Sequence, residues 1–299
     1  MTPLLVVITG PTAVGKTNLC VNIAQHFNTE IISADSRQFF KEMQIGTATP
    51  SKEELEAAKH HFIHHKSIQE NYNVGAFEKD ALKTLDQLLK SHNVVIMVGG
   101  SGLYSDAVTK GLDHFPKVDS NIRLSLNADL ETKGLAHLQN QLKDLDLIAY
   151  NTIAIDNPHR VIRALEICIG TGEPYSSFLN KKKINRNFKT ITVGLTAERE
   201  AIYNRINQRV DLMMQNGLLD EVKSLIPYKD LNSLNTVGYK ELFHYLSGNW
   251  TLDFATSEIK KNSRRFAKRQ LTWFKKDKET LWFNFETPFE EIVENINII

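Results

Sequence analysis

The 299 residues are 41% hydrophobic and 24% charged, with a net charge of +1 and two cysteines. Cys20 and Cys168 are too few for a disulfide framework or a zinc finger. No apolar run approaches a membrane span and no secretory signal opens the chain, so a soluble, cytosolic protein of one large or two smaller domains is expected. The near-neutral total hides an asymmetry. Residues 259–276, IKKNSRRFAKRQLTWFKK, hold eight cations and no acid, which leaves 1 − 8 = −7 for the rest. Such a segment is a local binding feature or a solvated helix face.

The first predicted element is a strand, Leu4 to Thr9, running into GPTAVGKT at 10–17. The spacing of Gly10, Gly15, Lys16 and Thr17 is that of a P-loop, the ATP-binding type of nucleotide loop. Backbone N–H groups of Gly10, Pro11, Thr12, Ala13, Val14 and Gly15 (proline lacking one) would curl around an anion at the start of a helix. Lys16 can reach the outer phosphates, and the Thr17 hydroxyl can ligate Mg²⁺. A phosphorylated ligand is expected, of unspecified identity.

A helix from about Lys16 to Phe27 follows, with Leu19, Ile23 and Phe27 on one buried face and Cys20 packed inside. A short strand at 30–35 delivers Asp35 to the carboxyl end of the sheet, where ligands bind in parallel α/β folds. Residues 37–50 read as loop, and Ser51 with Glu54 as a capping box. The run HHFIHH contains His60, His61, His64 and His65; metal binding competes there with polar contact or plain packing, and no acid or cysteine completes a ligand set. A helix from Phe77 to Ser91 turns Leu82, Leu85, Leu88 and Leu89 inward. A strand from Asn93 to Val98 ends in GGSGLY, at 99–104. From Pro116 to about Lys183 helical periodicity prevails, over Val118–Thr132, Gly134–Leu145 and Asn157–Gly170, closed by Lys181–Lys183. A strand from Phe188 to Leu195 follows. Helices are then expected at Glu198–Met214, Leu218–Ile226, Tyr239–Leu246 and Leu252–Phe274, with a last strand at Trp282–Phe283. The fold class is α/β: a P-loop NTPase-like parallel sheet core formed by 1–114 and 188–299, a helical insertion at 115–187, and a mostly helical C-terminal part.

The strand before GGSG ends without the carboxylate that a hydrolytic P-loop enzyme keeps there. Either Asp35 ligates the metal, or the chain is not an ATPase and Asp35 does other work; a helix cap is the structural alternative. Lys261, Arg264, Arg265, Lys268 and Arg269 form one basic stripe, with Phe266, Leu271, Trp273 and Phe274 assigned to the buried side. Uncompensated by acids in the segment, the stripe points to phosphate-backbone binding over a solvated face. Arg160 and Arg163 add cations to the insertion. Arg205 and Arg209, one helical turn apart, either reach the crevice or lie on the surface.

These segments resemble the tRNA dimethylallyltransferase (tRNA isopentenyltransferase) family over almost the whole chain: GPTAVGKT at 10–17, DSRQ at 35–38, IGTATPS at 45–51, GGSGLY at 99–104, NPHRVIRALE at 157–166, RVDLMMQNGLLDEV at 209–222, VGYKE at 237–241 and RRFAKRQLTWF at 264–274. Arg37 and Phe39 stand at positions that vary in the family. The zinc finger of eukaryotic members has no counterpart, so the likeness is to the bacterial form. The resemblance implies transfer of a dimethylallyl group from dimethylallyl diphosphate to the exocyclic N6 amine of the adenine 3′ of the tRNA anticodon, with release of diphosphate. It implies that the P-loop holds the donor's diphosphate, with Lys16 and with Mg²⁺ on Thr17. Asp35 would be the general base, Arg209 would stabilise the leaving diphosphate, and Ser101 would contact tRNA near the target base. Further tRNA contacts are implied at Asp35, Ser36, Arg37 and Gln38, at His159, Arg160, Val161, Ile162 and Arg163, and at Arg123, with the insertion gripping the anticodon stem-loop. Gln38 has groups suited to a base edge. The basic stripe (Arg264, Arg265, Lys268, Arg269) would add phosphate contacts. A monomer with no membrane contact is expected. The competing readings are an ATP-dependent small-molecule kinase, a non-catalytic RNA-binding protein, and a prenyltransferase acting on free adenine nucleotides.

Overall fold

In a computed structural model, residues 2–179 and 185–297 are described; Lys181–Lys183 lie outside them. The apolar run that opens the chain forms β1 (Leu4–Thr9), and its alternate residues serve two cores. Val6 and Ile8 pack with Ile23, Ile31, Ile96 and Val193 on one face. Leu5 and Val7 pack with Ile32, Phe77, Leu85 and Met97 on the other. Such a run, without polar alternation, is what a parallel strand covered on both faces needs.

Around β1 stand β2 (Ile31–Ser33), β3 (His60–His61), β4 (Val94–Val98), β5 (Lys189–Thr196) and β6 (Leu281–Asn284), in the order β3-β2-β4-β1-β5-β6. Every pairing is parallel, so the loops after β1, β2 and β4 open on one edge. The α/β sheet and the P-loop helix (Lys16–His26) are as expected. The Ser51–Glu54 capping box forms in both directions, and Tyr239–Leu246 and Leu252–Phe274 keep the boundaries read from periodicity.

Several elements were not expected, among them a helix at Gly102–Lys110 after the GGSG loop. The first two histidines of HHFIHH form an edge strand, with Ile31 beside His60. Leu147–Thr152 is a short helix, capped by the buried Asp146 carboxylate on the Ala149 N–H. Phe289–Asn297 is a helix whose Ile292 and Ile296 complete the first core.

The chain divides into two compact units, Met1–Lys110 with Asn185–Ile299, and Gly111–Ile184. The first holds the sheet and a third core built by the C-terminal helices around Tyr239, Leu218, Leu234 and Ile259. In the second, the helices Ser120–Lys133, Leu135–Leu145 and Pro158–Thr171 enclose Leu126, Leu138, Leu142, Val161 and Leu165. Within the first unit, the Arg186 guanidinium donates to the Ala107 carbonyl and pairs with Glu78, so the chain returns from the second unit beside the helix from which it left. No helix among the described residues is long and apolar enough to cross a membrane.

Candidate active site

Gly10 leaves β1 at φ +141°, where an added Cβ would lie 2.5 Å from the Leu195 carbonyl oxygen. Only glycine satisfies both demands. Gly15 enters the helix at φ +108° with no side-chain cap, leaving its first N–H groups open to an anion. The Lys16 ammonium folds back onto the Gly10 and Pro11 carbonyls, at 3.0 and 2.8 Å. Burial, and then the neighbouring Arg209, bring its pKa down to about 8, against the opposing pull of Asp35. Two arginines from the Arg199–Gln215 helix close on the loop: Arg209 donates to the Thr12 hydroxyl (2.9 Å) and Arg205 to the Ala13 carbonyl (2.7 Å). Both therefore face the crevice. Among the described residues nothing bonds the Thr17 hydroxyl, which lines the same space.

Asp35 follows β2. Its Oδ1 accepts the Arg37 N–H at 3.1 Å, and no described residue bonds Oδ2. The loop after β4 brings Ser101 to Ser36, hydroxyl to hydroxyl at 3.1 Å. Its glycines are packing positions rather than a second phosphate loop. A Cβ on Gly100 would meet the Gln270 amide at 2.5 Å, and one on Gly102 would collide with the Trp273 ring.

Gln270 carries no role in the sequence reading, yet it is a buried polar link in the crevice wall. Its Oε1 accepts the Thr12 N–H (2.8 Å) and its Nε2 donates to the Gly100 carbonyl (2.9 Å), tying the loop after β1 to the loop after β4. The signal was a polar residue on the inward line of its helix, between Ala267 and Phe274. The crevice has two lobes of about 540 and 370 Å³, which share Thr12, Asp35, Thr47, Ala48, Arg209 and Phe266. The larger is lined by Lys16, Thr17 and Arg205; the smaller by Ser36, Ser101 and the apolar Val210, Met213 and Val237. Lobes of this size suit small ligands, and the larger one adjoins the P-loop.

The family model described as IPP transferase matches residues 38–277. The chain belongs to that family. It is 61% identical to a tRNA dimethylallyltransferase of Christiangramia forsetii, over 99% of this chain and 98% of the relative, and 56% identical to one of Flavobacterium johnsoniae, over 98% and 96%. Among solved structures, the tRNA isopentenylpyrophosphate transferase of Bacillus halodurans covers all of this chain and 95% of its own, with a TM-score of 0.73 at 37% identity. A eukaryotic dimethylallyltransferase acting on tRNA gives 0.81 at 26% identity, over 95% of this chain and 74% of its own.

The residues that the family resemblance marks for RNA contact fare differently. Arg37 donates to the Asn232 and Ser233 carbonyls (3.1 and 2.7 Å), and burial lowers its pKa. The Gln38 side chain, expected to read a base edge, is taken up inside the protein: it accepts from the Ser33 hydroxyl and donates to the Thr47 and Ala48 carbonyls. In the second unit His159 and Arg160 are exposed. Val161 and Ile162 correct the expectation. They are 0% and 2% exposed because they lie on the apolar line of their helix, so their side chains cannot meet RNA. Arg123 is held by both oxygens of Glu166 (3.1 and 2.7 Å), and Arg163 by one (2.8 Å). Burial alone would raise the Glu166 pKa, but the two arginines more than reverse this and lower it.

The basic stripe is corrected too. Phe266 and Trp273 are 38% and 37% exposed, and the buried line is Ala255, Ile259, Ala267, Gln270 and Phe274. Lys260 pairs with Asp211 and Lys261 with Glu258, acids the fold supplies from another helix and from one turn earlier. Arg264 is part-buried against Asn207. Arg265, Lys268 and Arg269 remain exposed. The histidines disperse: His61 bonds Glu30 at 2.5 Å, His60 bonds the Ala58 carbonyl at 2.8 Å, and His65 packs edge-on to Phe39 and Tyr72. Among the described residues no three His, Cys, Asp or Glu side chains group to hold a metal.

Proposed function

We propose that this protein transfers a dimethylallyl group from dimethylallyl diphosphate to the N6 amine of the adenine on the 3′ side of the anticodon of tRNA. One observation carries the reading. The free Oδ2 of Asp35 shares a crevice with the P-loop, Lys16 and Arg209, and β4 ends there in glycines rather than in an acid. A P-loop so furnished can hold a diphosphate without activating water against it.

The larger lobe takes the diphosphate. The P-loop N–H groups, Lys16 and Arg209 neutralise the negative charge that grows on it as the allylic C1–O bond breaks. C1 then bonds to N6 of the adenine, which must leave the anticodon-loop stack to reach the smaller lobe. The proton released from N6 passes to the Asp35 carboxylate. Ser36 and Ser101 stand beside that carboxylate as polar partners for the base. The free Thr17 hydroxyl suits Mg²⁺, which takes one or two protein oxygens and completes its shell with phosphate oxygens and water. Bound there with the diphosphate, the ion would supply further charge neutralisation. Phosphates of the tRNA would be taken by the exposed His159 and Arg160 in the insertion, and by Arg265, Lys268 and Arg269 in the sheet-bearing unit. One chain suffices, because a single unit lines both lobes.

The test is a transfer assay with labelled dimethylallyl diphosphate, Mg²⁺ and unmodified tRNA that has adenine beside the anticodon, and with labelled ATP as a parallel donor. Label passing from the prenyl donor to tRNA is expected. Label passing only from ATP, or appearing on AMP but not on tRNA, overturns the reading.

A further inference from the structure

We infer that Glu221 is a positioning residue for the transfer reaction: it fixes the 44–48 loop, part of which lines the same crevice as the P-loop. The inference rests on the function proposed above. Glu221 lies in the Leu218–Ser224 helix, outside the reacting crevice, yet its carboxylate is saturated by donors from elsewhere. Oε2 accepts the N–H groups of Gln44 and Ile45 at 3.0 and 2.8 Å. Oε1 accepts the Gly46 N–H at 3.0 Å and the Tyr239 hydroxyl at 2.7 Å. Three successive backbone N–H groups converging on one anion form a nest, a concavity suited to binding a negative charge. Charge-assisted hydrogen bonds of this kind are about twice as strong as neutral ones.

The anchor carries through to the reacting groups. Tyr239 is 0% exposed, and a Cβ on Gly46 would lie 2.5 Å from its ring, so the loop is pressed flat against the anchor. The loop then turns back on itself, the Ala48 N–H reaching the Ile45 carbonyl at 3.0 Å. This turn aims the Thr47 and Ala48 carbonyls at the Gln38 amide, at 3.3 and 3.1 Å. Gln38 is three residues from Asp35, and its N–H donates to the Asp35 carbonyl. Glu221, the loop, Gln38 and Asp35 thus form one chain of contacts, and Thr47 and Ala48 line both lobes. None of these hydrogen bonds involves Lys16 or Thr17, so the charge contacts that hold the diphosphate should stay largely in place.

Glu221→Gln replaces one acceptor oxygen with an NH₂ that opposes N–H groups or the tyrosine hydroxyl, at nearly constant volume. The expected result is a fall in kcat of about tenfold to a hundredfold, the scale of an ångström-level misplacement. The KM for dimethylallyl diphosphate should stay within about twofold of wild type, and the variant should remain folded. Tyr239→Phe removes one of the four donors and is expected to lower kcat in the same selective way, by less. Should E221Q not fold, Y239F carries the test. Unchanged kcat in the folded variant, or an equal loss of diphosphate affinity and turnover, overturns the inference and leaves Glu221 a stability residue. Wild-type protein run alongside separates the two claims: if it transfers no prenyl group, the proposed function fails first.

Discussion

Lys16 is held near its neutral point by burial and by Arg209, with a pKa of about 8. A lysine with a lowered pKa is charged below that value and neutral above it, while a bound diphosphate favours the charged form. Affinity for dimethylallyl diphosphate should therefore weaken as pH climbs through 8. A rise in Kd of about fivefold between pH 8 and 9 follows from a single group of that pKa. Titration calorimetry across this range checks it, and Lys16→Arg, charged throughout, should flatten the profile. Asp35→Asn keeps shape and removes basicity. It is expected to lower single-turnover transfer by at least about a hundredfold, while tRNA binding stays within about twofold. Wild-type turnover in that variant would remove Asp35 as the base. Both residues stand out in the sequence because the local pattern of each states its chemistry. Gln270 and Glu221 do not. Their partners, Thr12 and Gly100 for one and the 44–46 loop for the other, lie more than 160 residues away in the chain, and no spacing rule encodes such a meeting.

At the scale of elements, hydrophobic period and capping residues made most of the architecture readable. Ser51 with Glu54, and the bounds of Leu252–Phe274, needed only neighbours within a turn or two. The His60–His61 strand could not be read, because two residues form a strand only when Ile31 offers an edge. The rotation of the long C-terminal helix was misjudged for a related reason. Aromatic residues suggest burial, but Phe266 lines the crevice and Trp273 bonds Asp106 through its indole N–H, both partly exposed. Among the described residues no acid pairs with Arg265, Lys268 or Arg269 of the same helix. Replacing these three with glutamine should weaken tRNA binding and make its log–log salt slope shallower by about 2. An unchanged slope would return them to a solvated face. In the P-loop, Gly10→Ala meets both a φ of +141° and the Leu195 carbonyl. A loss of more than about 2 kcal/mol is expected from that strain, read by thermal melting, or else a detached loop that no longer binds diphosphate.

For the molecule as a whole, the proposed function gives the two units different tasks, prenyl-donor binding in one and tRNA capture in the other. Both crevice lobes are lined by the sheet-bearing unit alone, and the chain leaves and re-enters that unit at Ala107 and Arg186, which share a hydrogen bond. Replacing 112–184 with a short glycine-serine linker is therefore expected to preserve diphosphate affinity within about threefold while tRNA capture falls at least tenfold, as equilibrium binding would read. The central place of β1 has a consequence for how the protein is made. β1 must pair with β4 on one side and with β5 on the other, and β5 is separated from β4 by the whole of the second unit. A chain growing from its N-terminus thus completes the helical unit before the sheet that flanks it in sequence can close. Ribosome-bound chains halted once residue 184 has emerged should show a protease-resistant helical segment preceded by a cleavable P-loop half, its strand edge awaiting a partner still to be translated.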